Sequence, residues 1–201
     1  LLTLVLMVYR FYKNLMTDEG YLMFTLPVSR SQLIWSKLLV ALVWSVLSTV
    51  LAALAWMAEI SVVGRENVFS LIAQGLRSLR QHLSGNLTGC AAALVVLCLV
   101  SCLVSFLKFY AAISLGHSFS NHKILLSVVF YIGFGIVTQT IGTIFASVGI
   151  QIDISPDFWS SLPVVQVFSS LAWAAAGVSA LLGAAYYVLT LLMLKKRLNL
   201  Q

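Results

Sequence analysis

The side chains that could do acid–base, nucleophilic or metal chemistry are few and scattered in this sequence. His117 and His122 are five residues apart, with no acidic residue nearby on the same side of the predicted fold. Two ligands do not make a zinc site, so a solvated, basic turn is the better interpretation. Cys90, Cys98 and Cys102 lie in one apolar run, where a thiol behaves as a small hydrophobic group rather than as part of a disulfide framework.

The motifs that the sequence lacks narrow the function further. It has no His-Glu-x-x-His pattern, no Gly-x4-Gly-Lys-Ser/Thr loop, and no acidic or basic residue in the central part of a long apolar run. Intramembrane charge is the usual mark of a proton or ion pathway, so an ion-coupled transporter and an intramembrane protease are both disfavoured. We expect no enzyme activity, no metal and no cofactor in this chain, and any ATP hydrolysis should come from a partner.

The elements that carry these residues follow from composition. The 201 residues are 61% hydrophobic and only 9% charged, whereas soluble domains carry about 25% charged residues. Four stretches without acidic or basic residues run for 21, 27, 29 and 37 residues, each longer than the roughly 20 needed to cross a bilayer. The run before Arg10 has only nine residues. We therefore predict an all-α, polytopic helical bundle with four full spans and a partial N-terminal span.

The basic residues predict how the spans are oriented. With alternating spans, nine of the 12 Lys and Arg residues fall on the side that holds the C-terminus, which the positive-inside rule makes cytoplasmic. The basic residues are interpreted as membrane anchors, so no nucleic-acid partner is expected. The predicted order within a single transmembrane domain is a span end (1–11), a cytoplasmic segment (12–36), a span (37–58), an outer loop (59–86), a span (87–109), a cytoplasmic loop (110–123), a span (124–148), an outer loop (149–163), a span (164–194) and a cytoplasmic tail (195–201).

The outer loop before the second full span has a helical pattern of its own. Apolar residues recur there at steps of three and four, and polar residues take the other face, which is typical of an amphipathic helix. The apolar positions are Val68, Leu71, Ile72, Leu76, Leu79 and Leu83. This helix can lie in the outer headgroup layer or dock on the outer ends of the chain's own spans.

The first cytoplasmic segment is unusual because it mixes charge with large apolar groups. Its sequence from Thr17 to Leu39 reads TDEGYLMFTLPVSRSQLIWSKLL. Acids at its start favour a short helix, Gly20 permits a sharp turn, and Pro27 forces a break and then fits the first turn of a second helix from Val28 onward. Apolar groups rimmed by charge usually mark a docking site for a partner. The alternative is that they pack on this protein's own helix ends.

Two sets of residues inside the predicted spans also need an explanation. A polar cluster that includes Thr138, Gln139 and Thr143 lies in the middle of one span and must find hydrogen-bond partners, either between helices or along a translocation path. Small residues recur in the last two spans, where they let helices approach closely. These are Gly133, Gly135, Gly142 and Ala146, then Ala172, Ala176, Ala180 and Ala184.

Three stretches of the sequence resemble a known family. They are YRFYKNLMTDEGYLMFTLPVSRSQLIWSKLL (9–39), FYAAISLGHSFSNHKIL (109–125) and LKKRLNL (194–200). All three resemble the cytoplasmic stretches of ABC-2-type transporter permeases, in the branch common in Firmicutes. They occur in the right order over nearly the whole chain.

The resemblance implies a six-span permease subunit in a bacterial plasma membrane, paired with a second permease and with separate ATP-binding cassette ATPase subunits. It implies export, and the absence of charge inside the spans fits an apolar or amphipathic substrate. The cytoplasmic segment would then couple the permease to the ATPase, through Asp18, Glu19, Gly20, Tyr21, Leu26, Pro27, Ser29 and Arg30. The rival interpretation is a membrane anchor that recruits a cytoplasmic enzyme and transports nothing.

Overall fold

The described part of the chain is helical. The computed structural model describes residues 2–16, 29–63, 70, 72–75, 77–78, 87–119, 122–151 and 164–198. These residues form five long helices and no strand: α1 (Leu2–Met16), α2 (Arg30–Val63), α3 (Leu87–Gly116), α4 (Lys123–Gln151) and α5 (Val164–Leu198). The all-α prediction is confirmed.

Helices α2 to α5 are each long enough and apolar enough to cross a membrane. Within the described ranges, four candidate spans are found: Arg30–Val62, Thr88–Gly116, Lys123–Phe145 and Val165–Lys195. The prediction of a polytopic membrane protein is therefore confirmed. Helix α1 has 15 residues, which is shorter than a span.

The spanning helices are longer than a bilayer requires. Helix α2 has 34 residues and is about 51 Å long, against a hydrocarbon core of about 30 Å. Lys37 lies about 10 Å along α2 from its first residue, and Lys108 lies about 12 Å before the end of α3. The Lys108 amine sits 4.9 Å from the centre of the Tyr131 ring on α4, a cation–π geometry. Because lysine side chains such as these stay at the headgroup layer, the start of α2 before Lys37 and the end of α3 after Lys108 extend beyond that layer.

Helix α3 organises the bundle. It packs most extensively against α5, then against α4, and to a lesser degree against α2 and α1. Helix α4 packs chiefly against α3. The chain between α3 and α4 is short, running from His117 to His122, and His122 adopts a φ of 54° there.

Most of the buried residues lie at one end of the bundle. The end of α1, the start of α2, and the ends of α3 and α5 share one cluster, which we call the core end. Its buried members are Phe11, Leu33, Ile34, Leu38, Ala41, Phe106, Leu107, Tyr110, Ala111, Ile113, Tyr186 and Leu194. Because α1 ends and α2 begins at the core end, both helix ends that flank the segment between them lie there.

Close helix contact needs small residues at two positions. A Cβ atom at Gly116 would lie 2.6 Å from the backbone nitrogen of Ser127 on α4, and one at Gly183 would lie 2.9 Å from Val104 on α3. Ala172 and Ala176 are buried, so part of the α5 stripe serves packing within the chain. Around Gly133 and Gly142 the described chain leaves open space, so the close helix approach predicted for the α4 stripe stays a prediction.

The predicted amphipathic helix lies mostly outside the described residues. Those described between 70 and 78 are helical, and the Ser78 hydroxyl donates to the Gln74 carbonyl at 2.7 Å. The second outer loop (149–163) and the tail after Leu198 lie almost wholly outside the described residues.

The contact between Gly116 and Ser127 generates a stability prediction. Gly116→Ala should destabilise the protein by about 1–3 kcal/mol, because the added methyl group meets backbone atoms that cannot turn away. Thermal unfolding of the purified protein in nanodiscs measures the change.

Gly133→Ala on α4 is the matched control, because nothing lies within 4 Å of a Cβ atom there. It should leave the unfolding temperature unchanged or slightly raised, since Ala favours helix over Gly. Equal unfolding temperatures for Gly116→Ala and Gly133→Ala would contradict the close approach of α3 and α4.

Candidate functional site

Helix α2 begins with a reciprocal hydrogen-bonded cap. The Ser29 N–H donates to Gln32 Oε1 at 2.9 Å, and the Gln32 N–H donates to Ser29 Oγ at 3.3 Å. The Ser29 carbonyl accepts the first helical bond, from Leu33 N–H at 3.2 Å. This is a capping box. The helix begins two residues later than the predicted Val28, because Ser29 is its N-cap and accepts a hydrogen bond from the Gln32 N–H through Oγ.

The first turns of α2 are attached to α5. Ser31 Oγ and the Tyr187 hydroxyl are 2.5 Å apart. One turn further along, the Trp35 ring lies 6.0 Å from the Tyr187 ring, at an angle of 51°. Tyr187 therefore joins the start of α2 to the last third of α5 by both a hydrogen bond and an aromatic contact.

The adjacent face of the same turns enters the core. Ile34, Leu38 and Ala41 are at most 1% exposed, and their spacing of four and three residues puts them on one face of a helix. They pack in the cluster that holds the stacked rings of Phe11 and Tyr110, whose centres are 3.7 Å apart. The start of α2 is thus held on two sides.

The predicted coupling residues lie only partly in the described chain. Ser29 is the cap of α2, and Arg30 is the half-buried first residue of that helix. Asp18, Glu19, Gly20, Tyr21, Leu26 and Pro27 lie outside the described residues. Helix α1, which precedes them, ends at the core end, and helix α2, which follows them, begins there.

The polar cluster of α4 divides into two groups. Thr138 Oγ1 is 2.8 Å from the Tyr186 hydroxyl on α5, so Thr138 makes a bond between helices. Gln139 and Thr143 are exposed, and Thr143 Oγ1 donates to the Gln139 carbonyl at 2.9 Å. Among the described residues, none makes a hydrogen bond with the side-chain amide of Gln139.

The two histidines line the same open cavity but differ in exposure. His117 is 9% exposed, its Nδ1 lies 3.1 Å from the Ile113 carbonyl, and its ring meets Tyr12 edge-on at 5.2 Å. His122 is exposed. The interpretation of both as a solvated turn is wrong for His117, because α3 continues to Gly116 and carries that side chain into the bundle. Within the described ranges, no three His, Cys, Asp or Glu side chains come together.

Sequence reasoning did not find the roles of Tyr186 and Tyr187. Both lie too far inside the last span for a simple interfacial belt. Their position among small residues was the available signal, because a phenol in that setting needs a hydrogen-bond partner on another helix. Those partners are Thr138 for Tyr186 and Ser31 for Tyr187.

The family comparison agrees with this architecture. A family described as ABC-2 family transporter protein matches residues 1–120, which is more than half of the chain and covers α1 to α3 with the segment between α1 and α2. No curated protein and no solved structure matches the chain. With its apolar spanning helices, this multi-pass membrane protein therefore belongs to the ABC-2 family of transporter proteins.

Proposed function

We propose that this chain is the permease subunit of an ATP-driven exporter and that residues 17–31 couple it to a separate ATPase. The observation that carries the proposal is the double attachment of the start of α2. That helix continues from the coupling segment, and two adjacent faces of its first turns are held, one by Tyr187 of α5 and the other by the core.

This arrangement supports a rigid lever. A capping box holds the first turn of α2 in helical form. A displacement of the preceding residues therefore moves α2 and does not unwind its first turn. The Ser31–Tyr187 hydrogen bond transmits the displacement to α5, and the packing of Ile34 and Leu38 in the core transmits it to α1 and α3. Packed cores respond to such displacements as units because they deform little.

The distribution of basic residues supports a cytoplasmic core end. Arg10, Arg30, Lys37, Lys123 and Lys195 all belong to helix portions at this end, as the positive-inside rule requires of the cytoplasmic side. We infer that the C-terminus of α5 is cytoplasmic, that the membrane is the plasma membrane of a bacterium, and that the ATPase binds from this side.

Gln139 supports a second permease subunit or a hydrated path beside α4. Its amide lies in the middle of the helix on an exposed face, and an amide without partners in lipid costs several kcal/mol. We infer that another permease copy or a related subunit covers this face and that an apolar or amphipathic substrate moves along it. The tests below use a fluorescent amphipathic dye as the transport probe.

The coupling role predicts a loss of ATPase binding when the segment is altered. Leu26→Asp should weaken binding of the ATPase by at least about thirtyfold, or about 2 kcal/mol, because a charge replaces an apolar anchor. Glu19→Ala should leave the protein inserted but uncouple dye transport from ATP hydrolysis. Pull-down of the ATPase and its stimulated hydrolysis rate in proteoliposomes measure both effects.

Phe119→Asp is the matched control, because Phe119 is a large, exposed apolar residue that follows the end of α3 and lies outside the segment. It should keep ATPase binding and stimulation. Normal stimulation with Leu26→Asp would contradict the docking role. A wild-type complex that binds the ATPase but moves no dye would instead favour the membrane-anchor function.

The role of Gln139 predicts a separate defect. Gln139→Leu should lower dye transport several-fold while ATPase binding persists, because only the membrane path or the subunit contact loses its polar group. Thr140→Val is the control, since the exposed Thr140 hydroxyl already donates to the Ile136 carbonyl at 2.8 Å. Equal transport by wild type and Gln139→Leu would contradict this role.

A further inference from the structure

A small cavity where α1, α2 and α3 meet is lined by two basic side chains. Its volume is about 250 Å³ and its wall is otherwise mostly apolar. The lining residues are Met7, Arg10, Phe11, Ser36, Lys37, Val40 and Tyr110. The cavity lies at the core end, beside the stacked rings of Phe11 and Tyr110.

The two positive charges have no described acid within reach. Arg10 and Lys37 act on each other as like charges, which is unfavourable without an anion between them. Among the described residues, Glu59 carries the single carboxylate side chain, and it lies at the far end of α2. The cavity therefore carries a local positive field suited to an anion.

The depth of the cavity indicates the headgroup layer. Lys37 precedes 21 residues without charge, which measure about 32 Å along a helix and match one hydrocarbon core. Basic pockets between spanning helices at this level attract anionic lipid headgroups. An exposed apolar surface continues from the cavity toward the middle of the membrane through Leu6, Val40 and Val43, as acyl chains require.

We propose that this cavity binds the phosphate group of an anionic phospholipid, held by Arg10 and Lys37, with the acyl chains lying along the exposed residues of α1 and α2. The site lies outside the proposed coupling segment, because neither basic residue belongs to residues 17–31. A bound lipid would fill the gap between α1 and α2 and hold the two helices together.

The experiment compares lipid retention by charge variants of the intact chain. Protein is reconstituted with phosphatidylglycerol and phosphatidylcholine, extracted, and examined by native mass spectrometry. Wild type should retain phosphatidylglycerol selectively. Arg10→Gln with Lys37→Gln should reduce that retention by on the order of tenfold, because two interfacial charges are lost. Arg10→Lys with Lys37→Arg should restore it, which separates binding from misfolding.

Lys123→Gln with Lys195→Gln is the matched control, because it removes two exposed charges at the core end outside the cavity. It should retain phosphatidylglycerol as wild type does. An equal loss in this control would overturn the site in favour of a diffuse surface charge. Competition by inorganic phosphate alone would reassign it to a free anion. Retention that appears only after Asp18→Asn with Glu19→Gln would show that the chain's own carboxylates occupy the cavity.

Discussion

Water reaches these helices only at their ends, and this constraint decides where the chain builds its core. In lipid an apolar side chain gains little by leaving the hydrocarbon, so helices associate through close packing and hydrogen bonds. At the core end the helices project past the headgroups, and burial of a residue such as Ile34, which precedes Lys37, is worth about 1.5–3 kcal/mol there. The stacked Phe11 and Tyr110 rings close that core, while large apolar side chains of α2 such as Trp56 and Val62 stay exposed.

The polar side chains are subject to the same constraint, because where no water reaches them they need hydrogen-bond partners within the protein. Within the spans, hydroxyl groups of Thr49, Ser105 and Thr140 donate to the carbonyl four residues earlier in their own helix, which satisfies them without a neighbour. The phenols of Tyr186 and Tyr187 reach other helices instead. Interhelical bonds of this kind contribute about 0.6 kcal/mol on average, so their main effect is to fix the angular position of α5 against α2 and α4.

Much of this architecture could be predicted from the sequence, because uncharged length alone identifies a spanning helix. Helix ends were less predictable. Charges such as Lys108 mark the headgroup layer rather than the end of a helix, so α3 continues to Gly116 although a loop was expected from residue 110. The cap at Ser29 depends on the Gln32 side chain, whose Oε1 accepts a hydrogen bond from the Ser29 N–H. The position of Pro27 alone did not identify this cap. The partner of each small residue also depends on tertiary packing. Gly116 contacts Ser127, whereas nothing in the described chain approaches Gly133.

The central claim is that the start of α2 and the last third of α5 move as one body. Distances between spin labels test it most directly, with one pair at Leu39 and Leu192 near the core end and another at Val62 and Phe168 at the opposite end, all on exposed positions. Measurements on the complex with its ATPase, with and without a non-hydrolysable nucleotide, should give one narrow, unchanged distance for the first pair and a shifted distance for the second. A nucleotide-dependent shift of the Leu39–Leu192 distance, with the other distance constant, would contradict the claim.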